Sequence, residues 1–269
     1  ILSQQQGSEA YNVPSAFLFT GQVDIKALEE SFKQVVERHE CLRTTFHLID
    51  GVPKQKISAM EEVSTGIEIV DLKGETDPKA TGTLLLKSEA AMPFDLANDL
   101  MLRLKIFILA KDQYLFFMNM HHIVADATSI MVLRREALTR YKNIIDKNSD
   151  KLQPLAIQYK DFAAWQNELL SGENLKKFEN YWSNRLNGIS PKMVLPTDRE
   201  GSEDKSTVSA KIKIVLSQEE KQGLQNLANK AGTTLFNTVL AIFSLLLYKY
   251  SSNNFITVGT PVSGRENEK

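Results

Sequence analysis

The stretch HHIVADA, His121 to Ala127, decides how this chain folds. Just upstream, Arg103–Ala110 and Gln113–Met120 are dense in Leu, Ile and Phe and are separated only by Lys111-Asp112, which predicts two strands joined as a hairpin. The second strand delivers its end to His121 and His122. Downstream, Ile130, Leu133, Ala137, Leu138, Tyr141 and Ile145 recur at helical spacing, so a helix begins immediately after Asp126. The stretch is therefore a strand–loop–helix junction carrying two histidines and a carboxylate. Successive side chains of a strand point to opposite faces, so only one of the two histidines can look into a given cleft and the other must pack. Asp126 falls at the helix N-terminus, where exposed amides and the helix dipole favour a carboxylate. If buried, it would want an arginine partner, and turns can bring Arg43 or Arg265 back toward it.

Three chemistries compete at this junction. In the first, the histidines are satisfied core residues and Asp126 is only a helix cap, although adjacent histidines are not a usual capping device. In the second, they hold a metal; neighbours that point apart make a poor ligand pair, however, and no HxH, no HExxH and no cysteine cluster accompanies them. In the third, one imidazole is a general base that accepts a proton from an attacking amine or hydroxyl during acyl transfer. The chain has no GxSxG nucleophile elbow, and Cys41, beside His39 and Glu40, lacks the surroundings of a reactive thiolate. Direct attack by the acceptor is then more natural than a covalent enzyme intermediate.

Outward from the junction the chain alternates strand and helix. Asp24 predicts an N-cap for a helix with Ile25, Leu28, Phe32, Val35 and Val36 on one face. Extended segments follow at Thr44–Leu48 and Val63–Val70, and then a turn-rich stretch through Gly74, Asp77 and Pro78 loops toward Pro93. Beyond a polar stretch ending at Pro154, two aromatic-rich helices run through Tyr159–Leu169 and Phe178–Leu186, with Trp165 and Trp182 read as core anchors. Charged residues between Leu195 and Val208 read as a linker or loop. Val208–Leu216 alternates like a half-buried strand, Ser217 with Glu220 forms a capping box, Thr234 caps an apolar helix from Leu235 to about Tyr250, and Phe255–Thr260 reads as a short strand. The simplest summary is two α/β units, residues 1–195 and 196–269. Met118 and Met120 are read as filling space on the strand beside the histidines.

Composition excludes several function classes. Across 269 residues, 32 Lys plus Arg against 33 Asp plus Glu give a net charge of −1, without the basic field that non-specific nucleic-acid binding requires. The longest apolar run, Leu235 to Leu247, is broken by Asn237, Thr238 and Ser244 and falls short of the ~18 residues of a membrane span. A single cysteine excludes a disulfide framework, a cysteine-based zinc site and an iron–sulfur cluster, and it fits a reducing cytosol. With no initiator Met, no export signal and no distinct end at GRENEK, the chain is expected to be a segment of a longer polypeptide.

HHIVADA resembles the HHxxxDG signature of condensation domains of nonribosomal peptide synthetases, which is shared more loosely with chloramphenicol acetyltransferase-like acyltransferases. Arg38–Phe46 (RHECLRTTF) resembles that family's RHExLRTxF segment, Tyr159–Gln166 (YKDFAAWQ) its YxDFAxWQ segment and Val258–Arg265 (VGTPVSGR) its IGTPVxGR segment. AYNVPSAF near the start and LPTDR at Leu195–Arg199 are also similar to family text. Four ordered motifs across nearly the whole chain carry the resemblance.

The resemblance implies an α/β, chloramphenicol acetyltransferase-like two-lobe condensation-domain fold, with residues 1–195 as the first lobe and residues 196–269 as the opening of a truncated second. It implies peptide-bond formation between aminoacyl or peptidyl thioesters on donor and acceptor carrier proteins. The phosphopantetheine arms would arrive with those carriers, no cofactor would bind directly, and an adenylation domain would be a neighbour in a cytoplasmic synthetase. His122 would face the tunnel and position or deprotonate the acceptor amine. His121 would pack, and Asp126 would hold the loop through Arg265 or Arg43. Ala127 stands where the family has Gly, so a methyl group narrows the approach of the substrate arm, and Met118 and Met120 become candidates to line the tunnel. ILSQQQGSEAYN is similar to the family's SxAQxRxW-like start with residues missing between Ser3 and Gly7. With the end just after VSGR, the expectation is that this piece does not complete a catalytic cavity alone. A stand-alone acyltransferase using a soluble acyl thioester and a silent recruitment domain of the same fold are the alternatives.

Overall fold

A computed structural model describes residues 8–148, 152–188, 195–196, 212–251 and 253–262. The chain packs as two units, Ile1–Leu170 and Ser171–Lys269. In the first unit, strands β5 (Leu102–Ala110) and β6 (Gln113–His121) form the expected antiparallel hairpin around Lys111-Asp112. β1 (Asn12–Thr20) runs antiparallel to β6 on its other side, and the short β4 (Glu68–Asp71) lies parallel to β5, giving the order β1-β6-β5-β4. A separate hairpin pairs β2 (Thr44–Ile49) with β3 (Val52–Ile57).

Strand alternation sorts the sheet's side chains into two cores. Leu102, Leu104, Ile106, Phe116, Met118 and Met120 face helices α1 (Ile25–Arg38) and α3 (Ala127–Ile145), which supply Leu28, Phe32, Val35, Val36, Leu133 and Ala137. Phe107, Leu109 and Phe117 face the opposite way, with Leu72, under helix α2 (Pro78–Ala91). Each such large apolar side chain contributes about 1.5–3 kcal/mol on full burial, so the sheet's central strands anchor the unit. α1 starts where expected, with Asp24 Oδ1 accepting from Ala27 N at 3.0 Å. Helix α4 (Tyr159–Leu169) completes this unit among the described residues.

Several sequence expectations are corrected. The stretch from Gly74 toward Pro93 is mostly helix α2, because Asp77 and Pro78 act as N-cap and first helical residue rather than as a turn. β1 has no counterpart among the expected strands, since Pro14 and Ser15 interrupt its pattern. It tolerates Pro14 because it is an outer strand. His122 N donates to Tyr11 O, and alternation along the ladder then turns the Pro14 nitrogen away from β6. Only Glu68–Val70 of the expected Val63–Val70 strand is paired, in a strand that runs on to Asp71.

In the second unit, α5 (Gly172–Leu186), α6 (Gln218–Lys230) and α7 (Leu235–Ser251) are helical. Ser217 and Glu220 make the predicted capping box, and Thr234 Oγ1 accepts from Asn237 N. Within the expected Val208–Leu216 strand, residues 212–216 are unpaired and Ile212 is 92% exposed, while 208–211 lie outside the described residues. Phe255–Thr260 is likewise unpaired. A strand forms only against a partner, and no described residue pairs with either segment. Trp165 and Trp182 are not core anchors: they are 43% and 56% exposed, and they rest on Phe162 and Tyr181 respectively. Among the described residues no single helix is long and apolar enough to cross a membrane.

Candidate functional site

The last rungs of β6 place the two histidines in opposite surroundings. His121 N donates to Met101 O at 3.2 Å on the β5 side, and His122 N donates to Tyr11 O at 2.8 Å on the β1 side. His121 points toward the α2 layer, is fully buried, and lies 5.9 Å from the Tyr11 ring and edge-on to Phe94 at 6.0 Å. Its Nδ1 accepts a hydrogen bond from Ile123 N at 3.1 Å. Burial first, and then the charge of neighbouring His122, push its pKa below the ordinary 6.5, so the ring is neutral. His122 lies one alternation step further along. Its imidazole is exposed and makes no hydrogen bond to any described residue, which leaves both ring nitrogens open.

The loop between the histidines and α3 is short and tied at both ends. Val124 N donates to His121 O at 3.1 Å, and Ala125 is buried. Asp126 is extended, as an N-cap must be, and its Oδ1 accepts from Ser129 N at 2.7 Å and from Ser129 Oγ at 2.6 Å. Ala127 is the first residue of α3 and is exposed.

Arg43 is not brought to Asp126. It sits in a 3-10 turn (Glu40–Arg43), donates to Ser58 O and pairs with Glu40 at 3.7 Å, because that turn directs it toward the end of β3. Arg265 lies outside the described residues. Met118 and Met120 belong to the core between the sheet and the α1–α3 layer, where both are buried.

The other motif residues hold the scaffold around the junction. Arg38 Nε and His39 Nε2 approach the buried Glu136 Oε2 of α3 at 3.1 and 2.7 Å. Gln158, just before α4, donates to Arg38 O at 2.9 Å and accepts from Glu40 N at 3.2 Å, and Lys160 Nζ lies 2.6 Å from Glu40 Oε2. RHECLRTTF and YKDFAAWQ therefore meet and fasten α4 to the ends of α1 and the following turn. Sequence reasoning missed Glu136, although its place between Leu133 and Ala137 on the buried stripe of α3 was a signal. It also missed Asn119, the lone polar residue in LFFMNM, which is fully buried and whose Nδ2 reaches Glu89 O at 3.4 Å.

Beneath the same end of the sheet, Lys105 Nζ sits between Glu68 and Glu89 at 2.8 and 2.6 Å. Burial works against the Lys105 charge, but the two carboxylates outweigh it and raise its pKa above 10.5. Among the described residues no three His, Cys, Asp or Glu side chains gather to hold a metal ion. What the junction offers is one open imidazole at the end of a rigid strand, beside the N-terminus of a 19-residue helix.

The family described as Condensation domain matches residues 1–269 of the chain. Tyrocidine synthase 3 of Brevibacillus parabrevis is 38% identical over 266 residues, which is 98% of this chain but 4% of that protein. Among solved structures, the complex of the X-domain and OxyB from teicoplanin biosynthesis is similar, with a TM-score of 0.80 and 26% identity over 93% of this chain and 54% of that one. The first condensation domain of the CDA synthetase superposes with a TM-score of 0.70 at 18% identity, covering 94% of this chain and 60% of that one, a likeness of fold. The chain thus spans a small part of its synthetase relative and little more than half of these structural ones.

Proposed function

Because this chain belongs to the condensation-domain family, we propose that it forms peptide bonds between aminoacyl or peptidyl thioesters carried by donor and acceptor carrier proteins in nonribosomal peptide synthesis. The observation that carries the reading is the pair at the end of β6, one histidine buried and neutral, the other exposed and without a hydrogen bond to any described residue. In the proposed reaction the acceptor's α-amine attacks the donor's thioester carbonyl. The C–N bond forms, the C–S bond breaks, and the thiolate of the donor arm leaves. His122 orients the amine and accepts the proton that it must lose, which the departing sulfur finally carries. Thioester aminolysis is downhill, so alignment of the amine supplies much of the rate. His121 packs, and Asp126 would hold the loop as the ion-pair partner of Arg265.

Phosphopantetheine arms would arrive with the two carriers, and the neighbouring adenylation domain would load the acceptor. Residues 1–195 would form the first lobe and 196–269 the opening of the second. A lone cysteine and a net charge of −1 support a cytoplasmic setting. The test is His122→Ala in the intact synthetase. Thioester loading should be unchanged while dipeptide formation falls by about 10²–10⁴-fold; undiminished condensation would remove His122 from the reaction.

A second reading, a recruitment domain without turnover, is favoured by Ala127 in place of the family's Gly. The likeness to an X-domain solved in complex with OxyB also supports it. Carrier-protein binding by the full domain with no condensation would select that reading.

A further inference from the structure

Three polar side chains, Asn119 and His121 fully buried and Asn12 half-buried, lie on the α2 face where β1 begins and β6 ends. Asn12 stands directly opposite His121 in the strand register, and Asn119 lies two residues before His121 on the same face. Both amides spend their NH2 groups on the C-terminal carbonyls of α2. Asn12 Nδ2 donates to Ala90 O and Met92 O, each at 2.8 Å, and Asn119 Nδ2 donates to Glu89 O at 3.4 Å. That fixes the amide orientations and turns the oxygens away from the helix. Asn12 Oδ1, Asn119 Oδ1 and His121 Nε2 are all buried and have no hydrogen-bond partner among the described residues.

The protonation of His121 follows from its other nitrogen. To accept from Ile123 N, Nδ1 must present a lone pair, so the neutral ring carries its proton on Nε2. The cluster therefore holds one unused donor and two unused acceptors on neighbouring positions. Leaving each unsatisfied is unfavourable, whereas a single buried water makes about three hydrogen bonds to such groups. We propose that Asn12 and Asn119 are positioning residues that, through one shared water molecule, hold His121 in its Nε2–H tautomer and so fix the loop carrying His122. The link to His122 is Ile123, whose N–H is bound only while His121 Nδ1 stays unprotonated. This inference rests on the reading of His122 as the proton acceptor.

The charged groups around His121 are already matched. Glu89 of α2 is bound to Lys105, and Arg103 of β5 stacks on Phe94 at 3.9 Å while bound to Asp99. Tyr11 and His122 are the remaining titratable neighbours.

Two measurements test the network. In this chain labelled with ¹⁵N-histidine, the buried imidazole should show a protonated Nε2 and an unprotonated Nδ1 at neutral pH; the opposite tautomer overturns the proposal without any variant. In the intact synthetase, Asn119→Asp places a carboxylate where the amide oxygen sat and draws His121 toward the imidazolium. Nδ1 then carries a proton and releases Ile123. The acid limb of the kcat profile should move up by about one pH unit, with kcat about tenfold lower on that limb and KM for the carrier substrates unchanged. A wild-type pH profile with this variant overturns the proposal even if His122→Ala abolishes condensation. Undiminished condensation by His122→Ala would instead remove His122 from the reaction, while the tautomer measurement would still decide the network.

Discussion

His121 and His122 differ by one step of strand alternation, and that step separates a buried neutral ring from an exposed one. At this scale much is readable from the chain alone. The opposite facing of the pair follows from strand geometry, and Asp126 is the helix cap that its position before a periodic stretch implies. Asp126→Ala should lower stability by about 1 kcal/mol, as loss of an N-cap does, whereas Asp126→Asn should restore most of it; urea unfolding of both variants checks this. The surroundings of Arg43 are not readable in the same way, because the direction of an arginine depends on the turn that bears it. Arg43 ends on Ser58 and Glu40 rather than on Asp126. The roles of Asn12 and Asn119 are hidden for a similar reason: they exist only once β1 and β6 are in register.

At the scale of elements, the β5–β6 hairpin, α1, α3 and the capped helices are legible because each satisfies its own pattern locally. α2 is not, since Asp77 and Pro78 serve turns and helix starts equally well and the helix has little apolar stripe to betray it. Its seat on the sheet depends on Gly82. A Cβ there would stand 3.3 Å from Leu109 Cδ2 and Leu72 Cδ1, tight but against flexible side-chain ends. Gly82→Ala should therefore be close to neutral, helix propensity offsetting the crowding. Gly82→Val should destabilise the first unit by about 1–3 kcal/mol through overpacking, measured as a lower urea midpoint. Val208–Leu216 shows the converse error: its alternation is strand-like, yet the described part has no partner, and sequence periodicity does not report pairing.

For the whole molecule, near-zero net charge leaves stability to respond to individual titrations rather than to general repulsion. His121 is one of these. Its folded pKa lies below 6.5, so between that value and 6.5 the unfolded chain binds a proton that the folded chain does not. Stability should therefore rise with pH through this window, be complete above 6.5, and be lost on acidification. His121→Phe should remove that component, seen as a smaller difference between urea midpoints measured on either side of the window.

The two outer strands of the sheet have a further consequence. On β1 the nitrogen that would offer a donor at Pro14 carries none, and β4 is only four residues long with Glu68 and Asp71 at its ends. A neighbouring chain that tried to extend the sheet would find an interrupted ladder on one side and a short, charged one on the other. Intermolecular strand addition is disfavoured at both margins that the described residues form, which works against templated aggregation wherever many copies are crowded together.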